Sequence, residues 1–167
     1  MTLQPFEHVV AEHGAVVMRV CRALLRSADA EDAWAETFLS AMRAYPDLRP
    51  ESNVRGWLVT IAHRKAIDQI RVAARTPRPT DAVPEVAWCD AEPDRFDDRH
   101  GPLWSALAAL PPKQRDSVVL HHLGGLPYAQ VAVSLGTTEQ AARRSASDGI
   151  AALRTMSTRS TTKDSEQ

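Results

Sequence analysis

Few aromatics, few glycines, two cysteines and no surplus of charge set limits on this 167-residue chain before any motif is read. The cysteines, Cys21 and Cys89, stand far apart and form neither a disulfide framework nor a zinc-type pair. Cys21 falls in an apolar helical run and reads as a small core hydrophobe, while Cys89 falls among polar residues and reads as an exposed thiol. No apolar run approaches the roughly 20 residues that a membrane-spanning helix needs. The N-terminus lacks a basic region followed by an apolar stretch, so no signal peptide is expected and the cytoplasm is the default location. Aromatics make up 5% of the residues, so the core must rest on Leu, Val, Ile and Ala. Twenty Lys and Arg against 21 Asp and Glu give a net charge of -1. At first sight that balance argues against a nucleic-acid binder, because phosphate neutralisation supplies much of such a protein's affinity. There is no phosphate-cradling glycine loop and no nucleophile–base arrangement, so neither an enzyme nor a cofactor is expected.

What is present is a globular composition, 44% hydrophobic and 25% charged, at a length that suits one ordinary domain or two small ones. The near-zero balance conceals segregation. Residues 1–51 carry five basic and eight acidic side chains. Residues 52–78 carry Arg55, Arg64, Lys65, Arg71, Arg75 and Arg78 against Asp68 alone. Residues 79–101 reverse the sign, with seven acids against Arg95 and Arg99. Residues 102–156 return to five basic and three acidic groups. Alternating blocks point to surfaces with different partners.

The spacing predicts an all-α chain, since Val and Ile recur at helical intervals and no period-two alternation is sustained. A first helix is expected over residues 6–25, with Val9, Val10, His13, Val17, Val20 and Leu24 on one stripe. Asp29 is expected to cap a second helix, with Glu31 and Asp32 in a first turn whose dipole favours acids. Trp34, Phe38 and Met42 follow there at i, i+4 and i+8. Tyr45-Pro46 should end it, because the residue before proline disfavours helix. Ser52 is expected to cap a third helix that reaches Ala74. Its apolar side holds Val54, Trp57, Leu58, Ile61, Ala62 and Ile70, and its polar side His63, Arg64, Lys65, Asp68, Gln69 and Arg71. The prolines and acids of 76–101 read as a flexible, semi-extended linker on which Trp88 and Phe96 dock somewhere.

Helical patterning resumes at Leu103, breaks at Pro111-Pro112 and continues from Lys113 to Leu123. Gly124-Gly125 is a turn, a short helix covers 127–135, and Gly136-Thr137 turns the chain again. Thr138 is expected to cap a last helix reaching Arg154, before a Ser/Thr-rich tail, 157–167, expected to be disordered. Short helix, glycine turn, capped helix is the pattern of a helix-turn-helix. Ala129, Val131, Ala132, Val133 and Leu135 would supply one apolar face and Ala141, Ala142, Ile150 and Leu153 the other. The second helix would then offer Thr138, Gln140, Arg143, Arg144 and Ser147 to a DNA major groove.

Two stretches, taken together, resemble the extracytoplasmic-function (group four) sigma factors of bacterial RNA polymerase. Asp29-Ala-Glu-Asp-Ala-Trp-Ala-Glu-Thr-Phe38, Asn53-Val-Arg-Gly-Trp-Leu-Val-Thr-Ile-Ala62 and Lys65-Ala-Ile-Asp-Gln-Ile-Arg71 are similar to sigma region two. Leu110-Pro-Pro-Lys-Gln-Arg115, Gly125-Leu-Pro-Tyr-Ala-Gln-Val-Ala132 and Leu135-Gly-Thr-Thr138 are similar to sigma region four. The resemblance implies two small helical domains: 1–75 for core polymerase and the −10 element, and 102–156 for the −35 element. Residues 76–101 would link them. It implies that Asp32, Glu36, Thr37, Phe38 and Leu39 meet the coiled coil of the polymerase β′ clamp, and that the β flap is a second contact. It implies that Asn53, His63, Arg64, Lys65, Gln69 and Arg71 meet the −10 DNA, and that the linker passes through the active cleft and RNA exit path of polymerase. The acids of residues 79–101 suit such a basic channel and are expected to act there as a displaceable RNA mimic. An anti-sigma factor is an implied partner.

The chain departs from the family at His63-Arg64, where Arg-Asn is usual, and at Pro127, where a Ser cap is frequent. Its last helix continues Ser145-Ala-Ser-Asp148-Gly149 rather than with further bases, so weak −35 binding is expected away from polymerase. A stand-alone helix-turn-helix regulator would explain residues 126–154 but not the acidic second helix or the basic third. A metal or redox sensor is prompted by His8, His13, His121, His122 and the cysteines, but their spacings assemble no ligand set and no metal is expected.

Overall fold

The computed structural model describes residues 4–75 and 101–163. The expected linker, with Trp88, Cys89 and Phe96, lies outside the described residues. Every regular element among the described residues is a helix, and the chain divides into two units, each with its own core.

The first unit is a three-helix bundle of α1 (Phe6–Leu24), α2 (Ser27–Ala44) and α3 (Val54–Arg75), each packed on the other two. From α1, Val9, Val16, Val17, Val20, Cys21 and Leu24 are buried at the helical spacing that makes one apolar stripe. From α2 come Ala30, Ala33, Thr37 and Ala41, small residues that admit the neighbouring helices closely. From α3 come Leu58, Val59, Ala62 and Ala66. The scarce aromatics cluster at one end. Phe6 lies 5.2 Å from Tyr45 and 6.4 Å from Phe38, Phe38 lies 4.7 Å from Trp34, and Tyr45 lies 6.4 Å from Trp57. Two of them also hydrogen-bond: Trp34 Nε1–H donates to the Gly14 carbonyl at 3.0 Å and Tyr45 O–H to the Gln4 carbonyl at 2.9 Å.

Both expected caps are displaced. The second helix starts at Ser27 with Arg26 as its uncapped flank, so Asp29 lies inside the first turn, where its charge still favours the helix N-terminus. Asn53, not Ser52, caps α3: its Oδ1 accepts the Gly56 N–H at 3.0 Å, while the Ser52 N–H closes a turn on the Arg49 carbonyl. A short 3-10 turn, Tyr45–Asp47, ends α2 at the expected proline.

Cys21 is fully buried, and burial pushes its thiol from an ordinary 9.0 up to about 12. Unfolding returns the thiol to its ordinary value. The protonated, buried form therefore contributes stability that is complete below about pH 9 and is lost as pH rises toward about 12. At pH 8 an alkylating reagent is expected to label Cys21 in urea but not in the native chain. Equal labelling rates in both would mean that the site is open.

The second unit contains α4 (Gly101–Ala108), α5 (Pro112–Val118), α6 (Tyr128–Leu135) and α7 (Glu139–Lys163). Pro112 opens α5, a position that needs no N–H. After α5 the helix widens over Val119–Leu123, where the Gly124 N–H donates to the Val119 carbonyl at 2.8 Å. Gly125, at φ 75°, turns the chain toward α6. Gly136, at φ 61°, ends α6 in the left-handed conformation that glycine adopts without cost from a Cβ. Thr138 caps α7 as expected, its Oγ1 accepting the Ala141 N–H at 3.2 Å. The core gathers Leu107, Leu110, Val118, Val119, Leu120, Leu126, Val131, Ala132, Ala142 and Ala146. Ala129, Val133 and Ala141, expected in the apolar faces, are exposed, because each helix turns only one stripe inward. The last helix passes its expected end at Arg154 and covers part of the expected disordered tail, reaching Lys163. The segment holds no Gly or Pro to stop it, and Thr155 and Thr158 bond back to the carbonyls of Ala151 and Arg154.

Candidate nucleic-acid interfaces

Three exposed helix faces carry the candidate residues, two on the first unit and one on the second.

On α2, Asp32, Glu36 and Leu39 lie on the exposed side, Leu39 being 50% exposed. Thr37 and Phe38 do not. Thr37 is fully buried, its hydroxyl donating to the Ala33 carbonyl at 2.6 Å, and Phe38 is buried among Trp34 and Phe6. The helical pitch puts both on the stripe of Ala30, Ala33 and Ala41, which faces the bundle, so their expected contact with a partner is corrected. Met42, at i+8 from Trp34, is 51% exposed and joins Leu39.

On α3, Arg64 and Arg71 are exposed and share a face, seven residues apart, with half-buried Trp57 seven residues earlier and Arg75 beyond. Arg71 is held 3.9 Å from Asp68. His63 is buried, packed with Ala62 and Ala66 on the side turned to the bundle, so it is corrected from DNA contact to core. Lys65 and Gln69 lean toward α2. The Lys65 ammonium is 3.7 Å from Glu36, and the Gln69 amide, in the orientation that satisfies both atoms, donates to the Asp29 carbonyl and accepts from the Ala33 N–H. Asn53 is exposed while its Oδ1 caps the helix. The expected −10 set is thus divided. Arg64, Arg71 and Asn53 face outward, Lys65 and Gln69 bridge to the neighbouring helix, and His63 is inside.

On α7, Gln140, Arg143, Arg144 and Ser147 are all exposed within its first turns, behind the Thr138 cap. Arg143 is the most constrained. Its Nη2 donates to Glu139 Oε1 at 2.8 Å, and its guanidinium carbon sits 4.8 Å from the centre of the Tyr128 ring. Gly149 is buried where α7 crosses α5. A Cβ there would come within 2.7 Å of Val118 Cγ2 and 3.3 Å of the Gln114 carbonyl oxygen. The glycine lets the helix close on its neighbour.

Residues 9–76 match Sigma-70 region 2, and residues 100–153 match Sigma-70, region 4. The chain is 34% identical over 157 residues to RNA polymerase sigma factor CarQ of Myxococcus xanthus, an alignment covering 89% of this chain and 87% of CarQ. The chain belongs to the extracytoplasmic-function sigma factors. This sigma factor is also 32% identical over 140 residues to the ECF RNA polymerase sigma factor SigE of Mycolicibacterium smegmatis, with 78% of its own length and 53% of SigE aligned. It shares its fold with the sigma factor RpoE of Bartonella quintana, solved in complex with the anti-sigma factor NepR, at a TM-score of 0.70 and 18% identity, covering 90% of this chain and 95% of RpoE. As a sigma factor it directs promoter recognition and transcription initiation, which sets aside the stand-alone regulator.

Sequence reasoning about this sigma factor missed Met42, Tyr128 and Glu139. Met42 carried a signal, since it is one turn beyond Leu39. Glu139 carried one too, since it stands four residues before Arg143 on the same helix. Tyr128 carried none, because its contact with Arg143 depends on how α6 crosses α7. The metal or redox alternative rested partly on His121 and His122, whose rings meet edge to face at 4.7 Å. Among the described residues no group of three or more His, Cys, Asp or Glu converges. Partial burial, then the neighbouring His121, holds the His122 imidazole below its ordinary 6.5. No helix among the described residues is long and apolar enough to cross a membrane.

Proposed function

We propose that this sigma factor engages core RNA polymerase through the exposed face of α2, and promoter DNA through α3 and the start of α7, in the cytoplasm. On this reading Asp32, Glu36, Leu39 and Met42 dock on the coiled coil of the β′ clamp, with acids flanking two apolar anchors. Arg64 and Arg71, with Asn53 at the helix start, follow the −10 strand as it separates, helped by Lys65 once it leaves Glu36. The second unit reads the −35 element through Gln140, Arg143, Arg144 and Ser147, with Thr138 at the phosphates, and leans on the β flap. Residues 1–75 and 102–156 are the two promoter-reading parts, joined by 76–101. An anti-sigma factor covers these surfaces in the resting cell, a role supported by the NepR complex of RpoE.

The observation that carries this reading is the exposed cluster on α7 behind a capped turn, on a segment matching Sigma-70, region 4. R143A and R144A are each expected to lower run-off from a −35-dependent promoter roughly ten- to hundredfold, the cost of one base-edge arginine, with co-purification of core polymerase unchanged. Loss of core binding instead would give the helix a structural role.

A further inference from the structure

A stacked column of side chains stands beside the start of α7. His121, in the widened turn after α5, donates from Nδ1–H to the Leu126 carbonyl at 2.8 Å, which fixes its ring. That ring lies on one face of Tyr128, centroids 3.8 Å apart and planes 16° from parallel. The stacking leaves no space for a third group on that face. The Arg143 guanidinium, 4.8 Å from the same ring centre, therefore covers the other face. Glu139, one turn back along α7, holds Arg143 Nη2 at 2.8 Å. Arginine carries five N–H donors in a rigid fork, so one bond to Glu139 leaves most of the fork for a further acceptor.

We propose that Tyr128 and Glu139, with His121 behind the ring, are positioning residues that preset Arg143 for a base edge of the −35 duplex. The proposal rests on the reading that α7 meets that element. A surface arginine samples many rotamers, and an exposed i, i+4 ion pair biases that population only about twofold. A cation over an exposed tyrosine adds roughly another two- to fivefold. Together they favour the held conformer about four- to tenfold, so part of the ordering precedes DNA and that part is not charged against binding. A base edge demands fixed, bidentate geometry, whereas a phosphate is reached by a swinging side chain from many directions. A guanidinium restrained on one face and one edge suits the first.

The test is a double-mutant cycle, read as polymerase-dependent run-off from a −35-dependent promoter. Y128L is expected to lower output about three- to fivefold, and Y128F, which keeps the ring, to restore it. E139Q is expected to lower output about twofold. In the R143A background neither Y128L nor E139Q is expected to add a further loss, because both residues act through Arg143. An equal Y128L loss in both backgrounds, or a failure of Y128F to restore output, would overturn the positioning role and leave Tyr128 a packing residue. An E139Q variant with unchanged output would overturn Glu139's share. If R143A leaves output unchanged, the −35 reading fails and the positioning built on it fails too. If R143A is damaging while Y128L is not, the positioning alone fails.

Discussion

Gly149→Val is expected to unfold the second unit at 37 °C while the three-helix bundle stays folded. The reason is the crossing of α5 and α7. The first carbon added at Gly149 would lie 2.7 Å from Val118 Cγ2, 3.3 Å from the Gln114 carbonyl oxygen and 3.4 Å from Gln114 Cβ. Two of those three atoms belong to backbone or its first side-chain carbon and cannot swing away. Gly149→Ala gains up to about 1 kcal/mol of helix propensity, against an overpacking cost of about 1–3 kcal/mol. A net loss near 1 kcal/mol would lower the melting temperature of a unit this size by roughly 4–8 °C. Valine adds two branches to the same contact and loses the propensity gain, and a small domain has only a few kcal/mol of margin. Thermal melts followed by circular dichroism on the full chain should separate the two units. A Gly149→Val chain that keeps both transitions would show that the crossing can open.

The second large effect belongs to α2. L39A/M42A is expected to weaken association with core polymerase by about ten- to hundredfold, because exposed apolar anchors at the centre of a docking face dominate its energy. Both side chains are half exposed and alanine favours helix, so the bundle's melting temperature should not fall. F38A supplies the contrast. Its ring packs 4.7 Å from Trp34 and 6.4 Å from Phe6, and removing it costs about 3–5 kcal/mol of bundle stability. Binding by F38A should therefore fall only in step with unfolding. Titration of labelled chain with core polymerase, beside melts of each variant, distinguishes the two. Undiminished affinity in L39A/M42A would remove this face from the interface.

The all-helical architecture and both helical groupings were legible because each rests on local signals: apolar stripes at helical spacing, Pro46 and Pro112 at helix ends, Gly125 and Gly136 at turns, Thr138 as a cap. The faces were less legible. Thr37, Phe38 and His63 sit next to outward residues in sequence, and one step along a helix turns a side chain by about 100°. Assigning a run such as Glu36-Thr-Phe-Leu39 to one surface ignores that rotation. The caps slipped for a similar reason, since Ser52 and Asn53 are both able caps and only the bond to Gly56 decides between them. Tyr128 and Gly149 were not legible at all in these roles, because each depends on which helix crosses α7 and at what distance, whereas the Glu139–Arg143 pair follows from i, i+4 spacing alone.

Along α7 the outward positions 140, 143, 144 and 147 interleave with the inward positions 142, 146 and 149, and no position belongs to both sets. Substitutions in the first set leave the buried positions untouched, so, on the proposed reading of α7, a lineage would drift from one promoter preference to another without passing through a poorly folded ancestor. On the proposed reading of α7 the same separation makes the helix a natural cassette: exchanging the side chains at 140, 144 and 147, with Arg143 kept over Tyr128, would redirect the protein to a new set of genes and give paralogous copies a short mutational route to insulation from one another.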